Sequence, residues 1–366
     1  MDQLPAFPWD SLADAKAIAA AHEGGIVDLS VGSPVDATPA VIQAALADAA
    51  NAPTYPTCWG TPALRDAIVD WFARVRGVTG LGHANVMPTV GSKETVAGLP
   101  LWLGLGPGDV VVHPTVAYPT YDIGARVAGA TPVPADDPDD WPEGTRLVWV
   151  NSPSNPTGDV AGVEALRRVV ERARAIGAVV ASDECYALLP WDVDEVPSIL
   201  DARVSGGSRA NLLVVHSMSK QSSVAGYRAA FVAGCADVVG RVLEVRKHVG
   251  LIPPGPVQHA MAVGLADDAH VAEQRERYRA RRDVLLPALE AAGFEVRGQA
   301  GLYLWSTDGR DARAQVADLA AHGILVAPGD FYGDPSHVRV ALTASDERIA
   351  EAARRLAGFR PLLRTP

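Results

Sequence analysis

Cysteine is scarce in this chain: Cys58, Cys185 and Cys235 are the only three in 366 residues. Their odd number, their wide spacing and the lack of a C-x-x-C pair or of histidines at ligand spacing exclude a disulfide framework and a zinc site. Reduced thiols in a cytoplasmic protein are the expectation. Long apolar runs are also missing, since the nearest, residues 99–112, is cut by Pro100, Pro107 and several glycines. No membrane-spanning segment is expected. The first residues are acidic and carry Pro5 and Pro8, without the basic-then-apolar pattern of a signal peptide. Positive charge is in deficit as well: 32 basic against 43 acidic side chains leave a net charge of −11. That balance argues against nucleic acid or an acidic membrane surface as a partner and favours a small metabolite. Neither an internal repeat nor a low-complexity segment is found, and Asp136-Asp137-Pro138-Asp139-Asp140 reads as a solvated loop.

The composition that remains, 48% hydrophobic and 20% charged, is that of a globular protein long enough for one large and one small domain. Residues 109–113, 146–150, 178–182 and 211–215 are short, continuously apolar runs rich in valine. Such runs suit strands buried on both faces of a parallel sheet. Residues 86–90 and 229–234 read as further strands. Between them, residues 162–176 place Val163, Leu166, Val170 and Ala173 at helical spacing, with a Glu164/Arg168 pair and Gly177 as the stop. Ser11 is a candidate cap for an N-terminal helix over 11–22, residues 39–50 have helical spacing, and a long charged helix is expected over 260–292. Short strands near 294–296, 301–305, 324–326 and 338–341, with helices over 313–322 and 346–356, make the C-terminal part. The glycine-rich turn at 104–108 superficially suggests a dinucleotide fingerprint. Its proline and the strand that follows make it a helix-to-strand turn instead.

Polar residues cluster just beyond the strand ends, where open α/β sheets bind ligands. Lys220 follows the strand at 211–215 in Ser217-Met218-Ser219-Lys220, and Arg228 stands eight residues later, past Gly226. Asn151-Ser152-Pro153-Ser154-Asn155-Pro156-Thr157-Gly158 follows one strand, and Asp183-Glu184-Cys185-Tyr186 ends another. Gly91 and Ser92 open a helix, whose free N–H groups and positive dipole end suit a phosphate. Arg339 lies inside an apolar strand run, a costly position unless it meets an anion.

The Ser-x-Ser-Lys layout with its distant Gly-x-Arg, the Asn-x-Pro-x-Asn-Pro-x-Gly segment and Tyr55…Gly60-Thr61-Pro62-Ala63-Leu64-Arg65 resemble the class I/II aminotransferases, fold-type I enzymes that use pyridoxal phosphate (PLP). The resemblance runs over nearly the whole chain. It implies an aspartate aminotransferase-like α/β fold, with a large, mostly parallel sheet domain and a small α/β domain. Residues 1–38 would form an N-terminal arm packed on a neighbour and part of the small domain, 39–255 the PLP-binding domain, and 256–366 an interdomain helix and the small C-terminal domain. Lys220 would hold PLP as a Schiff base and then shuttle the proton, with Asp183 on the ring nitrogen and Asn155 and Tyr186 on the phenolic oxygen. Tyr118 would stack on the ring, leaving Tyr121 structural. Gly91, Ser92, Lys93, Ser217 and Arg228 would hold the phosphate, joined across a homodimer interface by Tyr55. Gly32, Asn155 and Arg339 would meet the substrate, Arg339 gripping its α-carboxylate.

Partners would then be an amino donor and a keto-acid acceptor. The segments 4–10 and 26–36, together with the Tyr55 loop, look closest to actinobacterial N-succinyldiaminopimelate aminotransferases of lysine and diaminopimelate biosynthesis. An aspartate or aromatic amino-acid aminotransferase, a PLP C–S lyase on the same fold and a non-enzymatic ligand-binding regulator are the alternatives. The intact lysine and the lack of a basic DNA-binding extension argue against the last.

Overall fold

The computed structural model describes residues 4–359, so Met1 and the last residues of the expected C-terminal domain lie outside the described residues. Strand β1 (Val27–Asp28) comes first, and seven strands then build the large sheet. These are β2 (Val86–Val90), β3 (Val110–His113), β4 (Thr131–Pro134), β5 (Thr145–Asn151), β6 (Val179–Asp183), β7 (Leu212–Ser217) and β8 (Ala229–Gly234), in the spatial order β2-β8-β7-β6-β5-β3-β4. Neighbours from β7 through β4 run parallel, and β8 is antiparallel to both β7 and β2. The mostly parallel sheet expected from the apolar runs is therefore present. Helices cover both faces; Val163–Ile176 buries Leu166, Val170 and Ala173 against one of them, as its spacing requires. Each such aliphatic burial contributes about 1.5–3 kcal/mol.

The smaller sheet follows from β9 (Glu295–Arg297), β10 (Tyr303–Thr307), β12 (Ala327–Pro328) and β13 (Val338–Ala341), ordered β12-β13-β10-β9, while β11 (Ile324–Leu325) pairs in parallel with β1. A separate apolar core, with Leu12, Leu285, Trp305 and Ile349 in it, packs around this part. Among the described residues no helix is long and apolar enough to cross a membrane.

Several local expectations need correcting. Ser11 does not cap a helix: it sits inside a 3-10 turn (Pro8–Leu12), donates to the Pro8 carbonyl, and leaves the helix to run from Ala13 to Ala20. The long charged helix is two helices, Gly255–Ala266 and Ala269–Ala291. Asp267 makes the break, with an extended backbone and a carboxylate that accepts from the Ala269 N–H at 2.9 Å. The first of the pair buries Val257, Ala260 and Met261 in the core of the large sheet. Arg168 pairs with Asp137 and Asp139 rather than Glu164, whose partner is Arg167. Strand β4 was not foreseen because Pro132 and Pro134 argue against a strand; it is tolerated at the sheet edge, where unpaired N–H groups are not needed.

Candidate active site

The carboxyl ends of β2, β5, β6 and β7 open on one side of the large sheet, and the small sheet closes over them. Between the two lies a cavity of about 730 Å³. Its lining takes in Gly32, Ser92, Lys93, Tyr118, Asn155, Asp183, Tyr186, Ser217, Lys220, Arg228 and Arg339. Of the residues singled out in the sequence, Gly91 and Tyr55 are off that lining. Gly91 lies just beneath it, and Tyr55 is 99% exposed in an irregular loop.

Lys220 sits in a short helical turn, Met218–Gln221, directly after β7. Its amine donates to the Gly32 carbonyl, and the Tyr278 hydroxyl donates to its own carbonyl at 3.1 Å. Burial pushes the amine pKa below the usual lysine value, and the Arg339 and Arg228 charges push the same way. A desolvated amine of this kind is a better nucleophile and base near neutral pH.

Asp183, at the end of β6, is buried. One carboxylate oxygen accepts from the Tyr121 hydroxyl at 2.9 Å and the other from the Cys185 N–H at 3.2 Å. Among the described residues no cation pairs with it. Burial raises its pKa, while the hydrogen bonds from Cys185 and Tyr121 pull it back. A buried carboxylate without a positive partner is costly, so the site is built for a cation arriving from outside the chain.

Arg339 on β13 is 3% exposed. It donates to the Asn155 side-chain oxygen at 2.9 Å and to the Ser30 carbonyl at 2.8 Å. The rings of Tyr303, Tyr332 and Trp9 lie 4.0, 4.9 and 6.0 Å from its guanidinium carbon, an arrangement that favours the charge. Asn155 is fixed in turn, its N–H donating to the Asn151 side chain at 2.7 Å. With its oxygen taken by Arg339, the Asn155 side chain has its amide N–H groups left to donate.

At the other end, Gly91 caps the helix Ser92–Trp102 with φ 81°, and a Cβ there would collide with the Arg228 guanidinium. Arg228, itself left-handed at φ 57°, is steadied by a 2.8 Å bond to the Ala225 carbonyl. Ser217 and Ser219 exchange a hydroxyl hydrogen bond of 2.9 Å beside it. Helix N–H groups, hydroxyls and a guanidinium converge here as an anion corner. The Lys93 amine lies 5.7 Å from the Phe7 ring and 5.8 Å from the Tyr118 ring, and among the described residues it has no carboxylate partner.

A family model for class I and II aminotransferases matches residues 25–356. The chain belongs to that family. It is 56% identical over 357 residues to a probable aminotransferase of Mycobacterium tuberculosis, which covers 96% of this chain and 85% of that one. To the 4-dedimethylamino-4-oxo-anhydrotetracycline transaminase OxyQ of Streptomyces rimosus it is 52% identical over 360 residues, 97% of this chain and 100% of the other. Among solved structures, the N-succinyldiaminopimelate aminotransferase of Mycobacterium tuberculosis matches with a TM-score of 0.86 at 27% identity, covering 98% of this chain and 100% of that one.

Class I and II aminotransferases depend on pyridoxal phosphate, and the cavity fits that group on its own evidence. Gly91 makes room for the Arg228 guanidinium beside a helix N-terminus, the buried Asp183 has no cation partner among the described residues, and Lys220 offers a desolvated amine. Sequence reasoning missed three features of this aminotransferase site. Tyr121, expected to be structural, is fully buried yet holds the Asp183 carboxylate; its place in Tyr118-Pro119-Thr120-Tyr121 was the available signal. Tyr303 meets the Tyr186 hydroxyl at 3.1 Å, and Trp9 flanks Arg339, neither with a motif to mark it.

Proposed function

We propose that this aminotransferase moves an amino group between glutamate and N-succinyldiaminopimelate, working as a homodimer. The observation that carries the substrate reading is one further cation among those lining the Arg339 cavity: Lys93, which the resemblance would give to the phosphate, lies near two rings and among the described residues pairs with no acid. A substrate with an α-carboxylate and a distant anionic end matches that pair. Burial and the nearby Arg228 lower the Lys93 pKa, and an arriving carboxylate would push it back up. The named activity of the solved neighbour supports the same substrate.

In this reading Arg339 takes the α-carboxylate in its fork, oriented by Asn155 and the Ser30 carbonyl. The bound pyridoxal phosphate supplies an electron sink for the pair left on the α-carbon and a carbonyl that carries the amino group. Lys220 is the base that removes the α-proton with Nζ and returns it on the far side of the reaction. Asp183, kept in line by Tyr121, would pair with the ring nitrogen. Asn155 and Tyr186 would donate to the phenolic oxygen, and Tyr118 would pack on the ring. The N–H groups at Gly91 and Ser92, with Ser217 and Arg228, would hold the phosphate. Tyr55, fully exposed in one copy, reaches that corner in the second.

The test is glutamate formation from N-succinyl-LL-diaminopimelate and 2-oxoglutarate, run beside aspartate and phenylalanine as donors. N-succinyl-LL-diaminopimelate is expected to give the highest kcat/KM, and Lys93→Met to raise its KM about tenfold, the loss of one charge-assisted contact, with phenylalanine little affected. A wide preference for aspartate or phenylalanine would overturn the substrate while leaving the aminotransferase in place.

A further inference from the structure

Tyr303 stands where the two ends of the cavity meet. Strand β10 lies beside β13 with Trp305 opposite Arg339, which puts Tyr303 diagonally across from that arginine on the same face. Its ring is 4.0 Å from the Arg339 guanidinium carbon, the nearest of the three aromatic faces there. Its hydroxyl is 3.1 Å from that of Tyr186. The same hydroxyl comes so close to Gly32 that a Cβ on that residue would collide with it, and the Gly32 carbonyl is the acceptor of the Lys220 amine. Tyr303 is 5% exposed and lines the cavity.

We propose that Tyr303 is a positioning residue that couples the proton-moving end of the site to the carboxylate-binding end, its hydroxyl serving Tyr186 and its ring serving Arg339. The inference rests on the roles given above to Lys220, Tyr186 and Arg339 and not on the identity of the substrate. Either hydroxyl can donate in this pair; with Tyr303 as the donor, as proposed, the Tyr186 proton is free to point at the cofactor and its O–H is polarised into a stronger donor. The ring acts separately. It holds the guanidinium plane by a cation–π contact that does not need the hydroxyl. One side chain thus carries two separable effects, and two substitutions divide them.

Tyr303→Phe keeps the ring and removes the hydroxyl. With a weaker donation from Tyr186, the phenolic oxygen is less stabilised in its ionised form, and the lysine–cofactor linkage keeps its proton to higher pH. The midpoint of the pH-dependent visible absorbance of the PLP-loaded protein, read without substrate, is expected to rise by about half a pH unit or more. In the same variant kcat is expected to fall about three- to tenfold with KM for the amino donor nearly unchanged. Tyr303→Leu removes the ring as well, and the donor KM is expected to rise about three- to tenfold beyond the phenylalanine variant. A Tyr303→Phe midpoint and kcat equal to those of the wild type would overturn the proposal, as would a leucine variant with the donor KM of the phenylalanine variant. A wild-type protein with no pH-dependent band would overturn the Lys220 assignment and this proposal with it.

Discussion

Lys220→Ala is expected to abolish transamination, lowering kcat by at least about a thousandfold, within the range for loss of a positioned acid–base group, and to remove the visible band of the lysine-linked cofactor. The reason is geometric. Among the described residues Lys16 and Lys93 also line the cavity, but Lys220 sits in the turn directly after β7, whereas the Lys93 amine lies near the Phe7 and Tyr118 rings and Lys16 is exposed on the N-terminal helix. The fold has little reason to suffer, because among the described residues the amine hydrogen-bonds only the Gly32 carbonyl and faces the cavity rather than the core. Circular dichroism and gel filtration matching the wild type, with single-turnover rates reduced to background, would be the full expected pattern. Retention of even a tenth of the activity would show that another amine does the work.

Asp183→Ala is the second large effect. Removing one partner of a buried charge pair costs about 3–5 kcal/mol, which corresponds to about a hundred- to a thousandfold or more in rate. In the proposed reading the partner is the ring nitrogen; the Asp183 carboxylate accepts from Tyr121 at 2.9 Å and from the Cys185 N–H at 3.2 Å, and no cation among the described residues competes for it. Cofactor retention should fall much less than turnover. The anion corner at Gly91, Ser217 and Arg228 does not depend on Asp183. Measuring kcat/KM beside PLP retained after dialysis separates the two effects, and near-normal turnover would mean that the ring nitrogen is served by a different group.

Much of this site was legible because its residues follow strands. Lys220, Asn155 and Asp183 come within a few positions of apolar runs whose burial on both faces fixes the sheet, so their clustering at one edge follows from the parallel topology. Arg339 was legible for the opposite reason, as a charge inside an apolar strand. What stayed hidden depends on contacts between the two sheets. Tyr303 reads in sequence as one more apolar strand residue, and only the pairing of β10 with β13 brings it to Arg339. The Ser30 and Gly32 carbonyls that receive Arg339 and Lys220 are backbone atoms, which no side-chain pattern marks. Gly32 was expected to meet the substrate, but nothing in the sequence shows that the close approach of the Tyr303 hydroxyl requires it to lack a side chain. The break at Asp267 was hidden because an aspartate pair inside a charged helical run is unremarkable until one of them turns its carboxylate onto the next N–H.

The most direct measurement is reduction of the PLP-loaded protein with borohydride, followed by peptide mapping by mass spectrometry to find the lysine that carries the pyridoxyl group. The label is expected on Lys220, in the peptide that spans Ser217 to Arg228. A label on Lys93, Lys16 or any other lysine, or no stable label at all, would contradict the assignment of Lys220 as the residue around which the site is built.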